Sequence, residues 1–283
     1  MKGLWVPVSA AISQQRQVDT IANNVANTNT AGFKKDQTVF KEYLTALEGN
    51  YNEIDMPHRE WKPNDFYRSY GAEKSMVKVD GNFTNFESGQ MTPTDNPLDL
   101  AIQGYGFFEV LTPKNGIRYT KNGQFTLDAN GILVTSDGSR VLKSLPPAPV
   151  AITEGAAVPP PPPPPVESRF IKLDTTIPIS INQQGEVYQK QNKIDQISVA
   201  EFGDVHVLQK EGSSLYINPY PENQLATNVK SRVMQGFVEE SNVNPITEMA
   251  ALIEAHRNFE AIQRVIKSYD AIAGKGVSEI SRF

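Results

Sequence analysis

The chain is 283 residues long, with 27 Lys plus Arg against 32 Asp plus Glu, a net charge of −5 and no cysteine. That balance supplies no global basic footprint for a phosphate backbone, which disfavours nucleic-acid binding, and the lack of Cys excludes disulfides, thiol catalysis and thiolate metal sites. The length is enough for a sizeable core and for roughly two domains. No stretch approaches the ~18 apolar residues of a membrane span. The opening MKGLWVPVSAAISQQ carries Pro7 and has no small-x-small cleavage site, so the expectation is a chain without a cleaved signal peptide.

Pro7 suits the first turn of a helix, where its missing N–H costs nothing. From there Val8, Ala11, Gln15, Val18, Ala22 and Val25 recur at three- and four-residue steps. This predicts an N-terminal helix of about five turns with a seam narrow enough for coiled-coil packing. The small side chains of Ala11 and Ala22 would let another helix approach closely. The next stretch, ANNVANTNTAGFKKD at 22–36, crowds Asn23, Asn24 and Asn27 into the helix end. Asn competes for nearby backbone groups and is a poor interior residue, so a specified ending is expected, with Gly32 as a left-handed cap. Residues 1–32 are read as an N-terminal assembly helix, and 33–70, which shows no firm period, as an irregular or extended connection.

From 71 to 235 the period changes to two. Asn115-Gly116, Asn122-Gly123, Asn130-Gly131 and Asp137-Gly138 are hairpin-type dipeptides, and FFEVL, RYT, QFTL and ILVT fit between or beside them as short strands. A second β block starts at Phe170, with Ile177, Ile179 and Ile181 alternating before Ile197, Val199, Val205 and Val207. The span reads as an all-β domain of meanders with a Pro-rich insertion at 144–167, in which Pro159 to Pro165 can only be extended polyproline II.

Residues 236–283 return to helix. Asn244 is the N-cap and Pro245 the first helical residue. Leu252, Ala255, Phe259, Ile262, Ile266, Tyr269 and Ala273 then form a sustained heptad seam, with Ile246, Met249 and Ile253 on a rotated stripe upstream. The fold class expected is therefore α+β, with N- and C-terminal helices pairing as a coiled-coil-like domain around a central all-β domain.

No catalytic constellation accompanies these elements. His58, His206 and His256 are far apart and no Cys can join them as metal ligands. The GxG of QGYGFF, 103–108, leads into a strand rather than from strand to helix and fails the dinucleotide context. DANG, 128–131, lacks the later acidic positions of an EF-hand loop. No enzyme activity, cofactor or metal is expected.

Four motifs, in order, carry a resemblance. QQRQVDTIANNVANTNTAGFKKD near the start, NPLDLAIQGYGFFEV at 96–110, YTKNGQFTLDANGILV at 119–134 and GFVEESNVNPITEMAALIEAHRNFEAIQRVI at 236–266 closely resemble the signatures of bacterial flagellar rod and hook proteins. Together they cover both ends and the middle. The tail ending GVSEISRF is similar to proximal-rod members; distal-rod members commonly end soon after a Met-Leu-x-x-Leu run that is absent here, and hook proteins are usually longer. The Pro-rich insertion at 144–167 is the departure from these motifs. The resemblance implies a structural subunit exported by the flagellar export apparatus and assembled, with copies of itself and other rod proteins, into the periplasmic rod that transmits torque from motor to hook. The two seams read from the spacing, Val8, Ala11, Gln15, Val18, Ala22 and Val25 with Leu252, Ala255, Phe259, Ile262, Ile266 and Tyr269, are expected to form an assembly interface with each other and with neighbouring copies, and Asn23, Asn24 and Asn27 at the helix end to fix register through amide hydrogen bonds. Distal rod is the alternative within the family. A different class, an adhesin-like or carbohydrate-binding β module, would need exposed aromatics clustered on the β domain, and Trp61, Tyr67 and Tyr70, the sequence-close set, precede it.

Overall fold

The structure, a computed structural model, describes residues 5–44, 75–114, 116–144, 166–212, 214–225 and 230–280. Pro159 to Pro165 and the Trp61, Tyr67, Tyr70 set lie outside the described residues. The architecture is mixed α+β, and the chain divides into two compact units: Met1–Ala26, Asp36–Phe83 and Asn244–Phe283 form one, Asn27–Lys35 and Thr84–Val243 the other.

The first unit contains α1 (Trp5–Ala26), the paired strands β1 (Asp36–Leu44) and β2 (Ser75–Thr84), and α2 (Pro245–Ile280). β1 falls in the stretch where the sequence shows no period. α2 starts where the cap predicts: Asn244 Oδ1 accepts from Ile246 N at 3.0 Å and Thr247 N at 3.3 Å. α1 ends at Ala26, earlier than a Gly32 cap requires. Gly32 is left-handed, with φ of 69°, but its N–H bonds to Glu239 O at 2.8 Å, so it serves a turn of the second unit instead.

The second unit is β-rich. Its strands are β3 (Met91–Pro93), β4 (Leu100–Gln103), β5 (Phe107–Leu111), β6 (Ile117–Thr120), β7 (Phe125–Leu127), β8 (Leu133–Thr135), β9 (Arg140–Val141), β10 (Ile179–Ile181), β11 (Glu186–Gln189), β12 (Asn192–Gln196), β13 (Val199–Ala200), β14 (Gln209–Glu211), β15 (Leu215–Ile217), β16 (Arg232–Gln235) and β17 (Phe237–Glu239). The largest sheet runs β14-β15-β6-β5-β9-β8-β7, with β13 also on β5. A second sheet runs β10-β11-β12, and β16 pairs with β4 and β17 with β3. Every strand pair in the second unit is antiparallel.

Three of the four turn dipeptides lie in hairpin connections: Gly116, whose neighbour Asn115 lies outside the described residues, is in the β5–β6 loop, its O accepting from Thr112 N at 3.0 Å. Asn130-Gly131 joins β7 to β8 and Asp137-Gly138 joins β8 to β9, each with its glycine at positive φ. Asn122-Gly123 closes no hairpin, because β6 and β7 belong to different pairings. There the chain passes so close to β4 that Leu100 N bonds Gly123 O at 2.9 Å and any Cβ on Gly123 would overlap Leu100 O. Val205–Val207 is a single 3₁₀ turn capped by Asp204, not a strand.

The core of this unit holds Leu100, Ile102, Phe108, Val110, Phe125 and Leu133, with Ile171, Val187 and Val233 arriving from later in the chain. A smaller aromatic cluster of Phe107, Tyr119, Phe202 and Tyr216 packs edge to face. Phe33, from the short Asn27–Lys35 segment, is fully buried in the same unit.

That segment is expected to be indispensable to the β unit. Losing a buried Phe costs about 3–5 kcal/mol, a large part of a domain's stability. Residues 84–243 alone should therefore melt non-cooperatively or at a much lower temperature by circular dichroism. The same fragment with 27–35 fused ahead of Thr84 through a Gly/Ser linker should regain a cooperative transition.

Candidate assembly surface and its buried anchors

In the first unit α1 and α2 lie side by side. Asn24 Nδ2 reaches Glu248 Oε2 at 3.3 Å and Gln14 Nε2 reaches Ala255 O at 3.2 Å, so numbers fall along one helix as they rise along the other and the pair is antiparallel. The α2 face turned inward is the one its spacing marks: Ala255 is buried and Leu252, Phe259, Ile262 and Ile266 are half-buried, joined by buried Glu248. Tyr269, next along the seam, is 46% exposed. Length explains this. α2 has 36 residues and α1 has 22, so at about 1.5 Å per residue α2 is longer by about 20 Å.

On α1 the structure buries a different stripe from the one the apolar spacing marks. Ser13, Ile21 and Asn24 are buried, whereas Val8, Ala11, Val18, Val25 and Asn27 are half-buried and Gln15, Ala22 and Asn23 are exposed. The two stripes are about a third of a turn apart. Polar side chains fill the buried one because β1 and β2 offer backbone to bond: Ser13 Oγ donates to Val77 O at 3.1 Å, and Thr20 and Thr38 hydroxyls meet at 3.0 Å. Asn24 makes the fullest set. Its Nδ2 donates to Asp36 O at 2.8 Å while its Oδ1 accepts from Asp36 N at 3.0 Å. One amide thus satisfies both backbone groups of the first β1 residue, which sets the strand's position against the helix.

The second unit holds anchors that apolar periodicity could not reveal. Lys34 and Glu239 form an ion pair at 2.6 Å with both side chains fully buried. Lys34 Nζ also donates to Glu87 O at 2.7 Å, and Glu239 Oε1 accepts from Gly89 N at 3.0 Å. Lys210 Nζ covers the Phe33 ring at 3.9 Å and donates to Lys34 O. Lys121 is a second buried cation, 4.0 Å from Glu239 Oε2, with its Nζ donating to Gly104 O at 2.6 Å. Burial pushes its ammonium down to about 8, with Glu239 opposing and Lys34 reinforcing the shift. A further buried pair, Glu109 and Arg169 at 2.5 Å, is completed by Ser198 Oγ and Gln224 Nε2 on Glu109. Burial, then the neighbouring Glu109, push the Tyr119 hydroxyl up to about 12.

These groups are positioned for holding segments together rather than for chemistry. Among the described residues no group of three or more His, Asp or Glu side chains is placed to hold a metal, and no helix is long and apolar enough to cross a membrane. His256 is exposed, 3.7 Å from Glu260 on the same helix face.

Comparison with known proteins adds three family matches in chain order. The flagella basal body rod protein family matches residues 4–34, the flagellar hook protein FlgE/F/G D1 domain residues 101–189, and the flagellar basal body rod FlgEFG protein C-terminal family residues 234–279. A flagellar basal-body rod protein FlgG of Borreliella burgdorferi is 30% identical, over 97% of this chain and 97% of its own. The chain belongs to the flagellar basal-body rod family. A rod protein FlgF of Caulobacter vibrioides is 28% identical over 99% of this chain and 98% of its own, and a hook-basal body complex protein FlhO of Bacillus subtilis 28% identical over 100% and 99%. The family is structural, not enzymatic.

Two measurements check the anchors. Removing one member of a buried pair strands the other charge at a cost of about 3–5 kcal/mol. Lys34→Met should lower stability by that order in chemical denaturation, and Lys34→Met with Glu239→Leu should recover part of it, the shortfall coming from Gly89 N and Lys121, which also face Glu239. Lys121 has its own signature. Its folded value near 8 lies below the ordinary 10.5, so between those pH values the folded state holds fewer protons than the unfolded one. Stability should therefore rise from pH 8 towards 10.5, by up to about 3 kcal/mol relative to a Lys121→Met variant that lacks this titration.

Proposed function

We propose that this rod subunit is a proximal-rod member, exported by the flagellar apparatus without a cleaved signal and built into the periplasmic rod by lateral contacts of α1 and α2 with neighbouring subunits. The support for the proximal position is the tail ending GVSEISRF. Relatives named FlgF and FlgG match to within two percentage points of each other, 28% and 30%.

The observation that carries the assembly mechanism is apolar surface left over by the helix pair. Ile246, Met249 and Ile253 form a stripe on α2 at three- and four-residue steps, and all three are exposed, Ile246 by 78%. On α1, Val8, Ala11, Val18, Ala22 and Val25 remain half-buried or exposed, and Ile12 is exposed. Tyr269 and Ile272 are exposed in the part of α2 that exceeds α1 in length. Stripes this regular are made for helix packing. When each subunit presents different stripes to different neighbours, the contacts are heterologous and propagate as an open helical filament. Coiled-coil-like seams between subunits complete what the antiparallel pair within one chain begins, and Asn23 and Asn27 lie at the end of the seam, where polar groups set register.

Ile253→Asp tests the outward stripe. Its side chain is exposed, so the purified variant should melt within about 0.5 kcal/mol of wild type. In the assembled rod the carboxylate would be buried without a partner at a cost of several kcal/mol, so a deletion strain carrying it should neither build rods nor swim. Phe259→Asp, on the inward face, should lose both stability and swimming, while Asn258→Asp, exposed and off the seam, should stay close to wild type. Wild-type swimming with Ile253→Asp would remove the mechanism.

A further inference from the structure

The turn 104–106 of the second unit displays Tyr105 at 74% exposure between two glycines. Its backbone is fixed from both sides. Gly104 O accepts from the buried Lys121 Nζ at 2.6 Å, and Gly106 N donates to Ser231 Oγ at 2.8 Å. Ser231 is itself held, because buried Glu201 accepts from its hydroxyl at 2.6 Å and its backbone N at 2.8 Å. Gly104 has φ of 123°, and a Cβ there would lie 2.7 Å from Ser231 Oγ, while a Cβ on Gly106 would lie 2.6 Å from Val199 Cγ1. Two buried charges and two obligatory glycines thus maintain a rigid turn whose tip is an aromatic ring facing solvent. Nothing in the core needs that ring.

The rim is cationic. Lys230 and Arg232 flank Ser231, Arg232 pairs across the ladder with Gln103, and both are exposed. Segments 103–106 and 230–232 contain no carboxylate, in a chain whose net charge is −5. A rigid exposed Tyr with an Arg beside it is the composition of an interface anchor, since little side-chain entropy is lost on docking.

We propose that Tyr105, rimmed by Lys230 and Arg232, is a contact through which the β unit of one copy of this chain grips an acidic patch on the next copy in the assembled rod. The inference rests on the rod-subunit reading and adds to its helix seams a second point of attachment on the β unit. A second copy is the occupant because heterologous assembly sets each patch against a different patch of the same chain, and outside Lys230 and Arg232 the chain carries 32 Asp plus Glu against the other 25 of its 27 Lys plus Arg, a negative excess of the sign that complements the turn.

The test places p-benzoylphenylalanine at position 105 of the full-length chain in a deletion strain, isolates basal bodies and irradiates them. A crosslinked dimer of this chain, mapping to an acidic segment of the second copy, is expected. Tyr105→Ala should lower the amount of this chain recovered in basal bodies about 10-fold, the equivalent of 1.4 kcal/mol, with unchanged melting of the purified protein, and Tyr105→Phe should recover near wild type. Absence of the dimer in intact rods, or crosslinks only to a different protein, overturns the contact while leaving rod assembly standing. Wild-type rods with Ile253→Asp would instead remove the underlying reading, and the Tyr105 contact with it.

Discussion

The Lys34–Glu239 ion pair joins the first segment of the β unit to its last. Lys34 follows the turn after α1 and Glu239 ends β17, shortly before Asn244 opens α2. Because α1, β1, β2 and α2 belong to one unit and the remaining strands to the other, the chain passes between units four times, at 26/27, 35/36, 83/84 and 243/244. The pair fixes, inside the β unit, the segment before the passage at 35/36 and the one before the passage at 243/244. Its burial makes the constraint strong: a lone charge there would be unsolvated, so the two segments are stable together and unstable apart. Gly32 N on Glu239 O, and Asn242 Oδ1 accepting from Lys35 N at 2.7 Å, extend the same junction with neutral bonds.

Around that junction the protein separates two kinds of surface. In the β unit most apolar side chains are consumed by its own core, Tyr105, Ile194, Tyr220 and Leu225 staying exposed, and buried charges are paired, as Glu109 is with Arg169, Ser198 and Gln224. In the helical unit one α2 stripe is consumed and another is left facing out. The proposed assembly uses this division: a β body closed on its own core, and exposed helix stripes that would gain their full burial beside neighbouring copies.

Asn24 shows how the helical unit connects local and tertiary structure. In isolation an Asn at that position weakens a helix. Here it bonds both backbone groups of Asp36 and also reaches Glu248, so one amide coordinates α1, β1 and α2. The crowding of Asn residues at 23–29 is therefore partly a structural specification within one chain, with Asn24 the member turned inward and Asn23 and Asn29 exposed.

Much was legible in the sequence because it depends on local chemistry. Asn244-Pro245 located the start of α2, the 3-4 spacing from Leu252 to Ile266 marked its inward face, and Asn130-Gly131 and Asp137-Gly138 marked true hairpins. Four motifs at both ends and in the middle carried the family. Other features required the fold. Which side of α1 is buried depended on β1 and β2 offering backbone partners to Ser13 and Asn24, so polar residues displaced the apolar stripe that periodicity favours. Asn122-Gly123 became a close crossing because β4 passes there, not because of its own turn preference. Lys34, Lys121 and Glu239 are all more than 80 residues apart along the chain, and each alone reads as a surface charge. Only three-dimensional proximity, in a site closed to water, makes two of them an obligatory pair and shifts the third, because charge–charge interaction and desolvation depend on distance and burial, which sequence spacing does not contain.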